Sequence, residues 1–338
     1  MNIYIPFDIF KGIGGPVTFM GNLEQYLKKK SITTAKHIQK CGGIFFPIEY
    51  EITNLIYIKK RKGKIIQRLD GIYYPEKHGD KYLDLNDKIK NIYQNYSTYI
   101  IFQSDYSRSQ CFALFGPTSK YSIIHNGANL ERFYPSLKKI KNKKTQFITT
   151  GNFRNLDMLE PVIKALDLLD EKYQFELQVL GPIVNDDLHK YLDREYVHYL
   201  GESSSQVEIS KHLRSADAFI YSHLNPPCPN SVIEAISTGL PVIGFDSGAM
   251  SELCYFSQDL LANVESKIFQ EYSDFDEGEL AKVIKIYLDS PDYFRDIALE
   301  NCKIYSIDKC VDSYLKVFTE VGLKRESFFD KIRRYLNG

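Results

Sequence analysis

The 338-residue chain has no charge excess, no tryptophan, no CxxC pair and no long apolar run. Lysine plus arginine equals aspartate plus glutamate, 43 each. The whole chain therefore presents no net field to draw in nucleic acid or lipid, although the balance is compatible with a local basic patch. Nucleic acid is not an expected partner. The six cysteines, at 41, 111, 228, 254, 302 and 310, are scattered, which argues against a disulfide framework and suits reduced thiols in a cytoplasmic protein. No window approaches 18 uncharged apolar residues, so no transmembrane segment is expected. MNIYIPFDIF lacks the basic start, apolar core and small-residue cleavage site of a secretory leader. GIGG near the start lacks the full GxGxxG spacing, and GxxxxGK[ST] is missing altogether. Neither a dinucleotide fingerprint nor a nucleotide-phosphate loop is supported. His198, His212 and His223 have no metal-ligand spacing with the cysteines, so no zinc site is expected.

What is present is a repeated alternation of short apolar runs with amphipathic ones. IYIPF, IFFPIEY, KIIQRLD, YIIFQS and YSIIHNG have the length and composition of strands. Between them PVTFMGNLEQYLKKK, with Pro16 placed for a first helical turn, LNDKIKNIYQNY and SRSQCFALFG predict helices. The polar run SLKKIKNKKTQ, 136–146, predicts a linker. The pattern then restarts with strands FITTGN, FELQVLG, VHYLG, AFIYSHL and LPVIGFD, and helices LDMLEPVIKALDLL and NSVIEAISTG. Strands separated by helices imply mostly parallel sheets covered on both faces. Length predicts two domains, here 1–140 and 141–310, both Rossmann-like α/β, with a ligand cleft between them. From Phe256 the chain predicts mainly helix, with helices over 311–338 packing back toward the N-terminal domain. In RESFFDKIRRYLNG, Phe328, Phe329, Ile332 and Leu336 share one helical face. That face either packs against the body or docks on a membrane surface.

The least ordinary passage is PPCPNSVIEAISTGLPVIGFDSGAMSEL, 226–253. Asn230 or Ser231 is placed to cap a helix whose first-turn N–H groups can hold a phosphate oxygen. Glu234 follows, and two meanings stay open for it. Its carboxylate can accept two hydrogen bonds from a sugar diol, or it is a first-turn acid favoured by the helix dipole and nothing more.

Together, GIGGPVTFMGNL, IIHNGANLERFYP, FITTGNFRNLDMLEPVIKAL, LQVLG and PCPNSVIEAISTGLPVIGFDSGAMSEL, running from residue 12 to about 253, resemble the retaining glycosyltransferases of the glycogen-synthase-like class. Those enzymes have the GT-B fold, two Rossmann-like domains facing across a cleft, of the family-4 kind. The Asn-Gly turn followed by Phe-x-Pro and the Glu-Ala-x-x-x-Gly-x-Pro-Val block carry the resemblance. It implies retaining transfer of a sugar, without a metal or cofactor, from a UDP- or GDP-linked nucleotide sugar to a hydroxyl of a glycan or glycolipid acceptor, as in polysaccharide biosynthesis. It further implies a cytoplasmic protein that is open to peripheral membrane contact. Under it, Gly14 and Gly15 face the donor's diphosphate or sugar. Asn230, Ser231 and Val232 approach the diphosphate, Glu234 holds the ribose, Gly181 and Leu200 shape the base pocket, and Glu252 braces a loop.

Three departures from the family pattern matter. The family often has a glutamate eight positions before the one matching Glu234, where this chain has Pro226, so the sugar must be held by something else in 225–231. An arginine and then a lysine usually follow the strand before GNFR. Arg154 fills the first place, but Asp157 stands in the second, leaving Lys164 and Arg214 as distant substitutes. A histidine common near the transferred sugar is replaced by Asp70, expected to orient sugar or acceptor, with Arg68 beside it expected to meet phosphate. DFD at 274–276 looks like the carboxylate pair of metal-dependent glycosyltransferases, but its acidic surroundings predict a solvated helix start. The competing functions are a nucleotide-sugar epimerase or hydrolase on a similar fold, and a catalytically silent nucleotide-sugar or glycan binder.

Overall fold

The computed structural model describes residues 1–9, 15–136, 143–203, 205–264 and 276–323, the side chains of Glu76 and Lys77 excepted. Gly14, Asp274 and the stretch 325–338 lie outside the described residues. The chain divides into two compact units, one of 1–125 with 307–338 and the other of 126–306.

In the first unit, β1 (Gly43–Pro47), β2 (Lys64–Leu69), β3 (Tyr99–Phe102) and β4 (Tyr121–Ile123) form a parallel sheet in that order. Around it stand α1 (Gly15–Lys29), α2 (Ile52–Lys60), the single turn α3 (Pro75–His78), α4 (Tyr82–Asn95) and α5 (Asp105–Phe115). Every residue of β1 is buried, as expected of a strand covered on both faces. The strands alternate between two cores. Phe45, Ile66 and Ile101 meet α1, whereas Ile44, Phe46 and Ile65 meet Leu55 and Ile58 of α2. The run IYIPF forms no strand; Tyr4 alone bridges Ile44 and Ala35. Pro6 has no N–H to extend that ladder.

The second unit carries β5 (Thr145–Thr150), α6 (Glu160–Asp167), β6 (Phe175–Leu180), β7 (Val197–Tyr199), α7 (Gln206–Ser215), β8 (Ala218–Tyr221), α8 (Asn230–Ser237), β9 (Val242–Phe245), the short α9 (Met250–Leu253), β10 (Leu261–Ala262), α10 (Glu277–Asp289) and α11 (Pro291–Asn301). Its parallel sheet has the order β10-β9-β8-β5-β6-β7. Phe147, Leu177, Ile220 and Ile243 from the strands meet Val162 of α6 and Ile284 of α10 in one core. The helix expected over LDMLEPVIKALDLL is shortened to α6, because Pro161 sits in its first turn and a separate 3₁₀ turn precedes it.

At Ile307 the chain re-enters the first unit as α12 (Ile307–Glu320). Its buried Ile307, Cys310, Val311, Tyr314, Val317 and Phe318 recur every three or four residues, the spacing of a single helical face. They join Phe19 and Phe45 in the core on the α1 side of the sheet.

Candidate functional site in the second unit

The strand order of the second unit reverses between β5 and β8, so the loops leaving those two strands diverge at a topological switch point. In open parallel sheets ligands sit at such points, beyond the strands' C-terminal ends. The loop after β5 carries Arg154. The loop after β8 runs through 222–229 into α8. The next strands on one side end at Gly181 and Leu200. Arg154, Gly181, Leu200 and the start of α8 thus share one edge of one sheet.

Along that edge the backbone is close-packed. A Cβ on Gly181, whose φ is +135°, would stand 1.9 Å from the Gly151 carbonyl oxygen. The Gly181 N–H donates to Gly201 O at 2.8 Å, and Gly151 N–H to Leu180 O at 3.2 Å. Three glycines therefore lie side by side where β5, β6 and β7 end. Leu200 is 38% exposed beside them. Arg154 is exposed, and its guanidinium has no hydrogen-bond or ion-pair partner among the described residues.

The start of α8 differs from the expected capping. Pro229 stands at the N-cap, and no side chain caps the helix. Asn230 is the first helical residue, and its Oδ1 accepts from Asn126 Nδ2 at 3.0 Å. The first-turn N–H groups are left for another partner. Glu234 is the fifth helical residue, so it lies in the second turn, not the first. That removes the bland alternative of a first-turn acid placed for the dipole. Its carboxylate is half-buried, has no hydrogen-bond or ion-pair partner among the described residues, and is pushed up by burial to about 8.

The loop before α8 is held from three directions. Asp157, 4% exposed, accepts the Leu224 N–H on its carboxylate at 3.2 Å, and its carbonyl accepts Ser222 Oγ–H at 2.7 Å. Here is the physical role of the aspartate found where the family pattern has a lysine: it ties the loop rather than meeting a phosphate. Ser247 Oγ accepts the Asn225 N–H at 2.7 Å, and the Ala249 N–H donates to Pro226 O at 2.8 Å. Gly248 permits this approach, since with φ +61° its Cβ would lie 2.5 Å from Pro226 N and O. Asn126 supplies the third tie, donating its side-chain N–H to Cys228 O at 3.2 Å as well as to Asn230. Asp157 and Asn126 as loop ties were missed from sequence. Their only signal was position, Asp157 as a departure and Asn126 within the quoted HNG turn. Tyr305 OH donates to the Leu253 and Glu252 carbonyls of α9 at 3.0 and 3.4 Å.

The distant substitutes for a second cation are engaged elsewhere. Lys164 pairs with Glu160 and Glu277, both at 3.0 Å. Arg214 donates to Arg132 O at 2.9 Å and lies 4.4 Å from the Tyr134 ring centroid. Asp276 caps α10 through the Gly278 N–H at 2.8 Å. Among the described residues no three His, Cys, Asp or Glu side chains gather to hold a metal ion.

Gly15, Arg68 and Asp70 belong to the first unit. Gly15 opens α1 and is exposed, with nothing within 4 Å of the place a Cβ would take. Asp70 follows β2, half-buried, near Tyr73, whose hydroxyl is pushed up to about 12 by burial and then by the Asp70 and Glu49 charges. Arg68 is not placed to meet a phosphate. It is 1% exposed, lies 4.2 Å from the Phe19 ring centroid, and donates to Gln103 Oε1 at 2.7 Å and Tyr314 OH at 3.1 Å. β2 alternation turns it inward beneath α12.

Residues 144–271 match the family model described as glycosyl transferases group 1. That span is well under half the chain. No curated protein matches. Solved structures do: Anabaena HepE in complex with UDP shares 15% identity, 88% of this chain and 89% of that one, at TM-score 0.67. Sucrose-phosphate synthase from Thermosynechococcus elongatus shares 14% identity over 91% and 81%, at TM-score 0.64. WaaG, a glycosyltransferase involved in lipopolysaccharide biosynthesis, shares 12% over 92% and 97%, at TM-score 0.62. The fold is GT-B. Two Rossmann-like α/β units plus C-terminal helices are what the sequence led one to expect of it. No helix among the described residues is long and apolar enough to cross a membrane.

Proposed function

We propose that the chain transfers a sugar from a nucleotide sugar to a hydroxyl of a glycan or glycolipid, with retention at the anomeric carbon. The observation that carries this is Glu234: a half-buried carboxylate with no partner of its own, pushed up to about 8, behind an uncapped helix start at the sheet's switch point. Such a group fits a ligand that brings paired hydroxyls. Four residues of helix separate Asn230 from Glu234, about 6 Å of rise, and helical side chains lean toward the N-terminus. A diphosphate on the first-turn N–H groups and a ribose diol on Glu234 suit that separation.

In this assignment Asn230, Ser231 and Val232 hold the diphosphate, and Arg154 adds an exposed positive charge. Gly181 and Leu200 border the base. Gly14, Gly15 and Asp70 act from the acceptor-side unit, with Asp70 accepting from a sugar or acceptor hydroxyl. Arg68 positions the end of β2 instead of touching donor. As the bond from the anomeric carbon to the diphosphate oxygen breaks, the acceptor oxygen bonds to that carbon on the same face. The acceptor's proton passes to the departing phosphate oxygen. No protein nucleophile is needed, and the rate comes from positioning and from stabilising the leaving charge. The HepE structures hold UDP and, in another crystal, UDP-glucose; on that likeness UDP-sugars are the first donors to try, with GDP-sugars next.

Ligand-observed NMR of the full chain against UDP-, GDP-, ADP- and CMP-sugars, without added metal, tests the assignment. One nucleotide sugar should show saturation transfer to its ribose and sugar. At pH 9, where the carboxyl is ionised, Glu234→Gln should weaken that ligand about 10–100-fold, the worth of hydrogen bonds to a charged group. Unchanged affinity would remove the ribose role. Donor cleavage that proceeds at full rate with water alone would make the chain a hydrolase.

A further inference from the structure

The cations considered for a departing diphosphate reduce to Arg154. Lys164 is held by Glu160 and Glu277, Arg214 by the Arg132 carbonyl, and Asp157 occupies the place of the expected lysine and ties a loop. Neutral N–H groups are left to supply the rest. The first-turn backbone of α8 is one source. The side chain of Asn230 is a second, and its polarity is set from outside the helix.

Asn126 is 6% exposed, and its backbone N–H donates to Cys228 Sγ at 3.4 Å. Its side-chain nitrogen lies 3.2 Å from Cys228 O and 3.0 Å from Asn230 Oδ1. A carbonyl can only accept, so the end of the Asn126 amide turned to Cys228 is the NH2 group. That group has two hydrogens. One meets the carbonyl, and the other can be received only by an oxygen, which orients the Asn230 amide with Oδ1 toward Asn126. The Asn230 NH2 group is thereby turned away from Asn126, and it has no partner among the described residues. Asparagine at a helix start ordinarily accepts backbone N–H groups on its oxygen. Here that oxygen is diverted and no side chain caps α8. An amide that would compete with a phosphate for the first-turn N–H groups adds its own instead. Tying the loop does not require this, since the bond to Cys228 O already serves that purpose.

We infer that Asn126 is a positioning residue for the transfer, locking the Asn230 amide with its N–H groups toward the diphosphate as an uncharged substitute for the missing lysine. Asn126 has this role only if the diphosphate lies at the start of α8, as proposed above. An amide oriented in advance loses little rotamer freedom when the ligand arrives. It also need not reorient as negative charge grows on the leaving oxygen.

NMR titration of the full chain with uridine and with UDP tests it, for the parent, Asn126→Ala, Asn230→Ala and the double variant. Guanosine and GDP take their places if the donor panel selects guanine. Asn126→Ala should weaken UDP about tenfold, the low end for a hydrogen bond to a charged group, and leave uridine within about twofold. Asn230→Ala should do the same. The two losses should not multiply: Asn126→Ala made in the Asn230→Ala background should change UDP affinity by less than about twofold, because the first residue acts through the second. A residue that merely ties the loop would weaken UDP by the same factor in either background, and that result would overturn the inference. Undiminished UDP affinity in Asn126→Ala would also overturn it. So would uridine weakened as much as UDP, which would show that the helix as a whole had moved. Circular dichroism matching the parent establishes that each variant is folded. A parent that binds neither UDP nor GDP would instead overturn the proposed function, and the role of Asn126 with it.

Discussion

A carboxyl raised by burial leaves a signature in stability that needs no ligand. The unfolded chain ionises Glu234 at its ordinary value of 4.5, whereas the folded chain holds the proton to about 8. Between those values folding takes up a proton, so stability falls as pH rises through the window. The cost is absent below 4.5 and complete above 8. Glu234→Gln removes it. Urea unfolding should show no difference from the parent at pH 4 and a gain of about 1–3 kcal/mol at pH 9, less than the full shift implies because the residue is only half-buried. A loss at pH 9 would mean that the carboxylate has a partner stabilising it, which would undo the vacancy on which the ribose role rests. The sequence showed Glu234 and its surrounding block but not its turn of the helix, because Pro229 takes the cap position that Asn230 or Ser231 was expected to fill. One or two residues of offset in the helix start move Glu234 from the first turn to the second.

Among elements, the loop from β8 into α8 depends on a contact that only glycine allows. Gly248 and Gly201 both have positive φ, +61° and +76°, but only Gly248 is crowded by backbone, that of Pro226; a Cβ on Gly201 would meet nothing within 4 Å. Gly201→Ala should cost about 1 kcal/mol for the strained backbone. Gly248→Ala adds displacement of Pro226 and should cost about 2–4 kcal/mol, with donor affinity falling because the loop ahead of α8 moves. Equal losses in urea unfolding would show that the loop does not lean on Gly248. Except for IYIPF, which forms no strand, and β10, which was not expected, the strands were readable from sequence, because burial writes apolar runs. Among the helices longer than a single turn, two were not. α7 buries only Ser210 and Leu213, which leaves no apolar period to detect, and α2, with three isoleucines, a threonine and a tyrosine in nine residues, has the composition of a strand. The partners of the loop ties were not legible in sequence, since Asp157 and Leu224 are 67 residues apart and Asn126 and Cys228 are 102 apart. Pairings at that range come from the sheet order, not from local pattern.

For the molecule as a whole, the chain leaves the first unit at residue 125 and returns to it at 307, so the core of that unit is completed by a segment made nearly two hundred residues later. The face of α12 was foreshadowed by the helical character after Phe256, but its destination required the tertiary structure. Phe318 is fully buried, its ring 5.3 Å from that of Phe45 in β1 and 6.2 Å from Tyr314. Tyr314 in turn accepts from Arg68, the buried cation of β2. Removing the Phe318 ring therefore opens a cavity against the first unit's sheet and loosens the enclosure of Arg68. Phe318→Ala should cost about 3–5 kcal/mol. The loss should be local: amide exchange should quicken in β1, β2 and α1, while β5 and β8 of the second unit keep their protection. Because Glu234 and the start of α8 lie within 126–306, affinity for the free nucleoside, which the proposed function assigns to that unit, should also hold at temperatures where the first unit has begun to open. Exchange rising equally in β5 and β8 would mean that the two units unfold as one, and that α12 stabilises the chain as a whole and not the unit whose core it completes.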